Sequence, residues 1–369
     1  MLEILDASKD VDRGFLVSLS GTVSEAGMMA LSPKKDRTLV FSPSNNALGI
    51  VDNTTESAAG SVTLPGATDS FFVSGDDTTA FVAVPTAPVP GQPAGGVGRI
   101  NLSTSAITAN LPLPGAHFIV PSPSGNQILV LSDTANAVTL LAPSLIDSGN
   151  PLTPISISGA FDKPVWAIFS SDGSTAYVLN CGPECGGSAA SVAVLDMTHT
   201  PPALANLSVA NPIPVSAATV GLLQGTNLYV AGTPAQLACG SSPLSSTTCG
   251  ALTVIDTSSS TSAAPVLITN GYHSVMQMGS NGQLFIGARG CTNIAGSTSC
   301  LTVVNTSSGA AVSPVDSGDV TGIEPIPRRN VVYVCEGGKL RIYDTSTDQQ
   351  QSTQINIVGQ AIDVKVVDF

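Results

Sequence analysis

The chain has 369 residues, of which only 11% are charged, and its formal net charge is −13 at pH 7. Its 13 Lys and Arg residues form no basic run, so the composition argues against nucleic acid as a partner. No apolar run approaches the roughly 18 residues of a membrane span, and the opening MLEILDASKD lacks the basic and apolar regions of a signal peptide.

A unit of four short strands repeats along the chain. Its second strand recurs as TAYVLN (175–180), NLYVAG (227–232) and VVYVCE (331–336), and its third strand ends in a polar turn, as in VAVLDMTH (192–199) and LTVIDTSS (252–259). The units begin near residues 27, 67, 116, 160, 213, 272 and 319. Because a sheet with two apolar faces must be covered on both, we predict radial stacking of the units in one all-β propeller domain over residues 1–369.

The pattern YV-x-N followed by V-x-V-I-D-T resembles the YVTN-type repeat of bacterial surface and periplasmic β-propellers, a group that is also similar to seven-bladed lactonase-like propellers. The likeness extends over nearly the whole chain, although an intact YVTN never appears. It implies the propeller fold and leaves the activity open, because many unrelated activities occur on propellers.

Both termini read as further strands of the repeat. QAIDVKVVDF (360–369) matches the first strands of the other units, and LEILDAS (2–8) and FLVSLSG (15–21) match third and fourth strands. We therefore expect eight four-stranded antiparallel blades, with the ring closed by strands from both termini. Because this terminal unit has no evident second strand, seven blades with decorated ends are the alternative.

Six of the seven cysteines bracket the loop between the second and third strands of three consecutive units. The pairs are Cys181 with Cys185, Cys239 with Cys249, and Cys291 with Cys300. Their spacings match no zinc pattern, so we predict disulfides, with free or redox thiols as the alternative. Disulfides persist in oxidising compartments, which indicates a periplasmic, secreted or cell-surface protein. Cys335 remains, and we predict a small buried apolar side chain, with an intermolecular bridge as the alternative.

Candidate binding residues lie just before the first strands of several units, which line the channel of a propeller. They are His117, His273, Asp69, Asp162, Asp319 and Asp363. Such side chains could converge on a polar ligand or a cation, or could act as acids and bases; the alternative is a solvated rim. No catalytic signature such as G-x-S-x-G or H-E-x-x-H is present, so we assign no catalytic residue, metal or cofactor.

These features favour an exported, non-enzymatic propeller that binds or assembles through its faces and disulfide-stapled loops. Its partner would be a protein or a small polar ligand. One alternative is a lactonase-like hydrolase or isomerase that acts on a small acid at the channel mouth. A second alternative is a surface-layer or filament subunit that associates with copies of itself.

Overall fold

A computed structural model of the chain describes residues 2–17, 28–235, 237, 249–292, 299–314 and 318–367. Within these ranges the secondary structure consists of β-strands and two 3-10 helices, at Pro143–Leu145 and Gly182–Cys185. No helix in this part of the chain is long and apolar enough to cross a membrane.

Seven antiparallel sheets follow one another along the chain as the blades of a β-propeller. Blade 1 contains β3 (Met29–Leu31), β4 (Arg37–Ser42), β5 (Ala47–Asp52) and β6 (Ser57–Thr63). Blade 2 contains β7 (Ser70–Val73), β8 (Thr79–Val84), β9 (Gly96–Asn101) and β10 (Ala106–Pro112). Blade 3 contains β11 (Phe118–Pro121), β12 (Ile128–Ser132), β13 (Ala137–Leu141) and β14 (Leu152–Ile155).

In blades 4 and 5 two short strands share the outermost position, each pairing with the third strand. Blade 4 contains β15 (Pro164–Phe169), β16 (Thr175–Asn180), β17 (Ser191–Asp196), β18 (Ala203–Leu204) and β19 (Ile213–Pro214). Blade 5 contains β20 (Val220–Gln224), β21 (Asn227–Gly232), β22 (Gly250–Asp256), β23 (Thr261–Ser262) and β24 (Val266–Ile268). Blade 6 contains β25 (Tyr272–Met278), β26 (Gln283–Arg289), β27 (Leu301–Asn305) and β28 (Ala311–Val312). Blade 7 contains β29 (Val320–Pro325), β30 (Val331–Glu336), β31 (Lys339–Asp344) and β32 (Gln349–Gln350).

The core consists of apolar layers between neighbouring blades. Because side chains alternate along a strand, each central strand supplies both of its faces. In β16, Ala176 and Val178 pack toward blade 3, whereas Tyr177 and Leu179 pack toward blade 5. The other blades repeat this pattern, which is why the second and third strands are almost continuously apolar.

The first strands of successive blades contact one another, from β3 and β7 through to β25 and β29, and therefore lie innermost. A first strand starts opposite the end of the second strand with which it pairs; Tyr272, for example, is the register partner of Arg289. The segments before the first strands and the loops between second and third strands therefore share one end of the propeller. We call this end the loop face.

The prediction of eight blades, closed by strands from both termini, is wrong, because the described residues form seven blades. Residues 2–17 form the hairpin of β1 (Leu2–Asp6) and β2 (Val11–Val17), and residues 351–367 contain no strand. Both segments lie between blades 1 and 7. Hydrogen bonds from backbone N–H groups to side-chain carboxylates join them there, in place of the backbone-to-backbone ladder of a sheet. The Asp363 carboxylate accepts from Met29 N at 2.9 Å, and Glu3 accepts from Val358 N at 2.9 Å.

Aspartates at the ends of third strands act as turn formers, as the sequence predicts. Asp196 Oδ1 accepts a hydrogen bond from Thr198 N at 2.9 Å. Asp256 does the same for Ser258 N at 2.9 Å.

The hairpin is held to blade 7 by Asp10, whose carboxylate accepts hydrogen bonds from Arg329, with Nη2 to Oδ2 at 2.7 Å, and from the Tyr333 hydroxyl. Asp10→Ala should lower the free energy of unfolding by about 2 kcal/mol, because two partly buried donors lose their acceptor. Chemical denaturation measures the change. Asp147→Ala is the control: its side chain is 76% exposed beside Arg99, so the loss should be much smaller than that of Asp10→Ala, because an exposed ion pair contributes little to stability. Equal losses would contradict the role given to Asp10.

Candidate functional site

His117 joins two blades through both of its ring nitrogens. Nε2 lies 3.1 Å from Asp69 Oδ2, just before blade 2, and Nδ1 lies 3.1 Å from Asp133 Oδ1, in the second-to-third strand loop of blade 3. The ring of Phe118 stacks on the imidazole, with centroids 3.9 Å apart. The sequence analysis selected His117 and Asp69, and the structure brings them into contact.

This arrangement keeps His117 protonated at neutral pH. Burial opposes the charge, but the hydrogen bonds and charges of Asp133 and Asp69 dominate and raise the pKa of His117 to about 9. The hydrogen bond from His117 in turn lowers the pKa of Asp69 and that of Asp133. Because both nitrogens are engaged, the imidazole is a bridging cation.

A carboxylate from a stapled loop reaches the same face. Glu184 lies in the 3-10 helix inside the Cys181–Cys185 disulfide loop of blade 4, and its Oε2 accepts from Thr233 N of blade 5 at 2.7 Å. A Cβ on Gly232 would come within 2.8 Å of that oxygen, so the glycine makes room for the carboxylate. Burial raises the pKa of Glu184 to about 7.

Blade 6 contributes an aromatic ring and a cation. Tyr272 is 41% exposed, and its cross-strand partner Arg289 is also exposed. A hydrogen bond from Thr233 Oγ1 to the Gly271 carbonyl, at 2.8 Å, links this strand to the Glu184 loop. Gly271 has φ of +98°, and a Cβ there would lie 2.5 Å from the Arg289 carbonyl, so the turn into β25 requires glycine.

Longer-range electrostatic interactions couple these groups at the channel mouth. The surrounding protein and the charges of Glu184, Asp133 and Asp69 raise the pKa of Tyr272 to about 12, and Arg289 opposes them. The positive charge of Arg289, in blade 6, also helps to lower the pKa of Asp69, which lies just before blade 2. We call this group the mouth cluster; it consists of Asp69, His117, Asp133, Glu184, Tyr272 and Arg289.

The other candidate residues lie outside this cluster. His273 is fully buried beside Gly250, and burial lowers its pKa to about 4. Asp162 Oδ2 accepts from Ser188 N at 2.7 Å and Ala189 N at 2.8 Å, which fastens the Cys181–Cys185 loop. Although burial opposes it, these bonds lower the pKa of Asp162.

The two remaining aspartates bond to backbone groups. Asp319 Oδ1 accepts from Gly290 N at 2.8 Å, on the loop face. Asp363 lies between the termini and blade 1, where burial raises its pKa. Of the six predicted binding residues, only His117 and Asp69 therefore come into contact with each other.

Two of the predicted cysteine pairs are disulfides, with Cα atoms 5.7 Å apart for Cys181 and Cys185 and 5.6 Å apart for Cys291 and Cys300. Cys249 is also disulfide-bonded, while Cys239 lies outside the described residues. The Cys335 thiol is free and buried, and burial raises its pKa to about 12. In the residues that can be described, no three His, Cys, Asp or Glu side chains are grouped to hold a metal ion.

Comparison with solved structures shows a β-propeller fold. The chain is similar to Kuenenia stuttgartiensis hydrazine synthase, with a TM-score of 0.65 and 15% identity over 91% of this chain and 100% of that chain. It is also similar to the dihydro-heme d1 dehydrogenase NirN, with a TM-score of 0.61 and 12% identity over 90% of this chain and 66% of that chain.

A functionally unknown protein from Desulfotomaculum acetoxidans matches with a TM-score of 0.53 and 18% identity, over 84% of this chain and 89% of that chain. No family model matches the chain, and no curated protein matches it. At these identities the likeness establishes the fold alone, and the resemblance to YVTN-type repeats stays a prediction.

The sequence analysis missed four members of the mouth cluster, namely Asp133, Glu184, Tyr272 and Arg289. Asp133 and Glu184 lie in second-to-third strand loops, and Arg289 is the last residue of a second strand. Antiparallel pairing places these loops at the same end as the starts of the first strands. The strand order of the repeat already implies this placement, so it is a signal in the sequence that identifies residues of these loops as candidates.

The pKa of His117, measured by NMR titration, should be about 9, and Asp133→Asn should lower it toward the ordinary 6.5. Because the folded-state pKa is raised, the stabilisation that His117 provides is complete below about pH 6.5 and is lost as pH rises through about 9. His273 is the internal control, because its pKa near 4 keeps it neutral over this range. An unshifted His117 would contradict the bridge.

Proposed function

We propose that this protein is an exported, non-enzymatic binding protein that takes up a small polar ligand with a positively charged group at the channel mouth. The observation that carries the proposal is the position of Tyr272, a side chain that is 41% exposed and whose hydroxyl is acted on by the charges of three carboxylates. An aromatic face beside carboxylates is the chemistry that recognises an ammonium group. Export is supported by the disulfides, which persist in oxidising compartments.

The charges of the mouth cluster favour a cation over an anion. His117 uses both nitrogens on Asp69 and Asp133, so Arg289 is the one cationic member left to face a ligand. The Asp69 side chain is 74% exposed and can still present carboxylate surface to solvent. With Glu184 ionised, three carboxylates face two cations, and the cluster carries a net negative charge.

The rigid framework around the cluster supports a binding role. The Glu184 loop is closed by a disulfide and anchored by Asp162. A preorganised loop loses little conformational entropy when it binds, which raises affinity.

Binding is tested by calorimetric titration with putrescine, and with succinate as a probe of the same carbon number and opposite charge. Putrescine should bind saturably and succinate should not. Tyr272→Leu should weaken putrescine binding about fivefold, which corresponds to roughly 1 kcal/mol for a lost cation–π contact. Asp256→Asn, at a third-strand turn on the opposite face, is the control and should leave binding unchanged. Binding of succinate that equals that of putrescine would contradict the proposal.

The affinity for putrescine should rise from pH 6 to pH 8. With a pKa of about 7, Glu184 goes from about 10% to about 90% ionised over this interval, and the added negative charge attracts the ligand. His117 stays protonated and contributes no change. Glu184→Gln should remove the pH dependence in the same titration. A wild-type affinity that is flat with pH would show that Glu184 does not face the ligand.

Hydrolysis or isomerisation of a small acid is the second candidate, supported by the pKa of Glu184, which is poised for acid–base chemistry at neutral pH. Neither of the two candidate histidines fits the role of base, because His117 is bridged at both nitrogens and His273 is fully buried. Acid release from γ-butyrolactone, followed in a pH-stat, tests this candidate. If the wild-type protein hydrolyses the lactone and Glu184→Gln does not, this candidate is supported. Equal rates for the wild-type protein and Glu184→Gln contradict it.

A further inference from the structure

A cavity of about 700 Å³ separates the two terminal segments. Its lining includes residues 2–8 of the N-terminal segment and residues 360–367 of the C-terminal segment. Blade 1 supplies Val40 and Val51 to its walls, and blade 7 supplies Tyr333 and Leu340. Apolar side chains of two sheets therefore contribute to the lining, beside polar residues such as Thr38 and Glu56, and the two terminal segments complete it.

The two flanking segments run in the same direction. Glu3 bonds Val358 at one end, and Arg329 Nη1 donates to the Ala7 carbonyl at the other. The C-terminal segment follows β29 along the same path: the Asp363 Cα lies 3.0 Å from a Cβ built on Gly322, and Val366 N donates to Glu324. One strand between the two segments could therefore be antiparallel to both.

The flanking backbones still have hydrogen-bonding capacity. Among the residues described, β1 pairs only with β2, so the edge of β1 away from β2 has no strand partner. The segment 360–367 belongs to no sheet. The link between the two segments at this end is a side chain: the Glu3 carboxylate accepts a hydrogen bond from Val358 N. An unpaired strand edge is a template for another strand.

The ends of the cavity carry opposite charges. Glu3 Oε1 is buried beside the carboxyl group of Asp12, and burial together with the charge and hydrogen bonding of Asp12 raises the pKa of Glu3. At the end near Ala7, the lining includes Arg328, which is exposed. An occupant that satisfies both ends needs a basic group beside Glu3 and an acidic group beside Arg328.

We propose that this cavity is a docking slot for an extended peptide segment of a partner protein, which adds a strand alongside β1. The segment runs antiparallel to β1, with apolar residues at alternate positions, an acidic residue toward its N-terminal end and a basic residue toward its C-terminal end. Backbone hydrogen bonds would supply the affinity, and the charged ends would set its direction. The slot is separate from the mouth cluster and does not depend on the function proposed for it.

The test uses the synthetic peptide EVTVTVK, acetylated, amidated and fluorescently labelled, with binding to the full chain followed by anisotropy. Saturable binding with a Kd of roughly 10–100 µM is expected. The charge-reversed peptide KVTVTVE should bind about tenfold more weakly. EVTPTVK should also bind about tenfold more weakly, because proline removes a backbone donor. Putrescine should not compete with the peptide.

A protein variant tests the slot from the other side. Arg328→Glu alters an exposed side chain and should leave the fold intact. It should weaken EVTVTVK about tenfold and favour KVTVTVK instead, whereas Lys163→Glu on blade 4 should change neither affinity.

Three outcomes would overturn the proposal. The first is the absence of saturable binding up to roughly 1 mM peptide. The second is equal affinity for EVTPTVK, which would show that an apolar ligand rather than a strand enters the cavity. The third is an affinity for the peptide that is lost at protein concentrations at which the chain dimerises, which would assign the slot to a second copy of this chain.

Discussion

Every blade of this protein has two apolar faces, and each face requires a neighbour. This requirement comes from the alternation of side chains along a strand: Val332 packs toward blade 6, while the next residue, Tyr333, packs toward the terminal segments. Radial stacking covers both faces of each sheet. It also directs the start of every first strand to the rim of one central channel, so the position of the candidate site is a consequence of how the sheets are buried.

The convergence of carboxylates at the channel mouth brings like charges together, and the cationic members of the mouth cluster balance part of that charge. Three carboxylates close together would repel one another, and each would have its pKa raised. His117 offsets two of them by donating to both, and Arg289 balances part of the remainder. Glu184 lacks such a cation and is buried, so its pKa rises instead. The proposed pH response follows from this unequal distribution of counter-charge.

Much of the fold could be predicted from the sequence because its determinants are local. The repeat, its turn aspartates and the cysteine register are all set by neighbouring residues. The number of blades was not predictable in this way. QAIDVKVVDF has the alternation of a first strand, but a strand also needs a hydrogen-bonding neighbour, and the terminal segments lack the second strand that would join them.

The candidate site was predicted less completely. His117 and His273 occupy matching positions in their units, yet the first bridges two aspartates and the second is buried in β25, where the ladder shifts register after His273. One position in a bulge decides whether a side chain faces the channel or the core. Neither Glu184, in a loop after a second strand, nor Arg289, at the end of a second strand, belongs to a first-strand entry, but antiparallel pairing brings both to the channel mouth.

The most direct test is a high-resolution crystal structure of the protein soaked with putrescine. We expect density for an ammonium group against the ring of Tyr272, within hydrogen-bonding distance of a carboxylate of Asp69, Asp133 or Glu184. A mouth that holds only water at saturating putrescine, with the Asp69–His117–Asp133 bridge intact, would contradict the claim that this cluster is a cation-binding site.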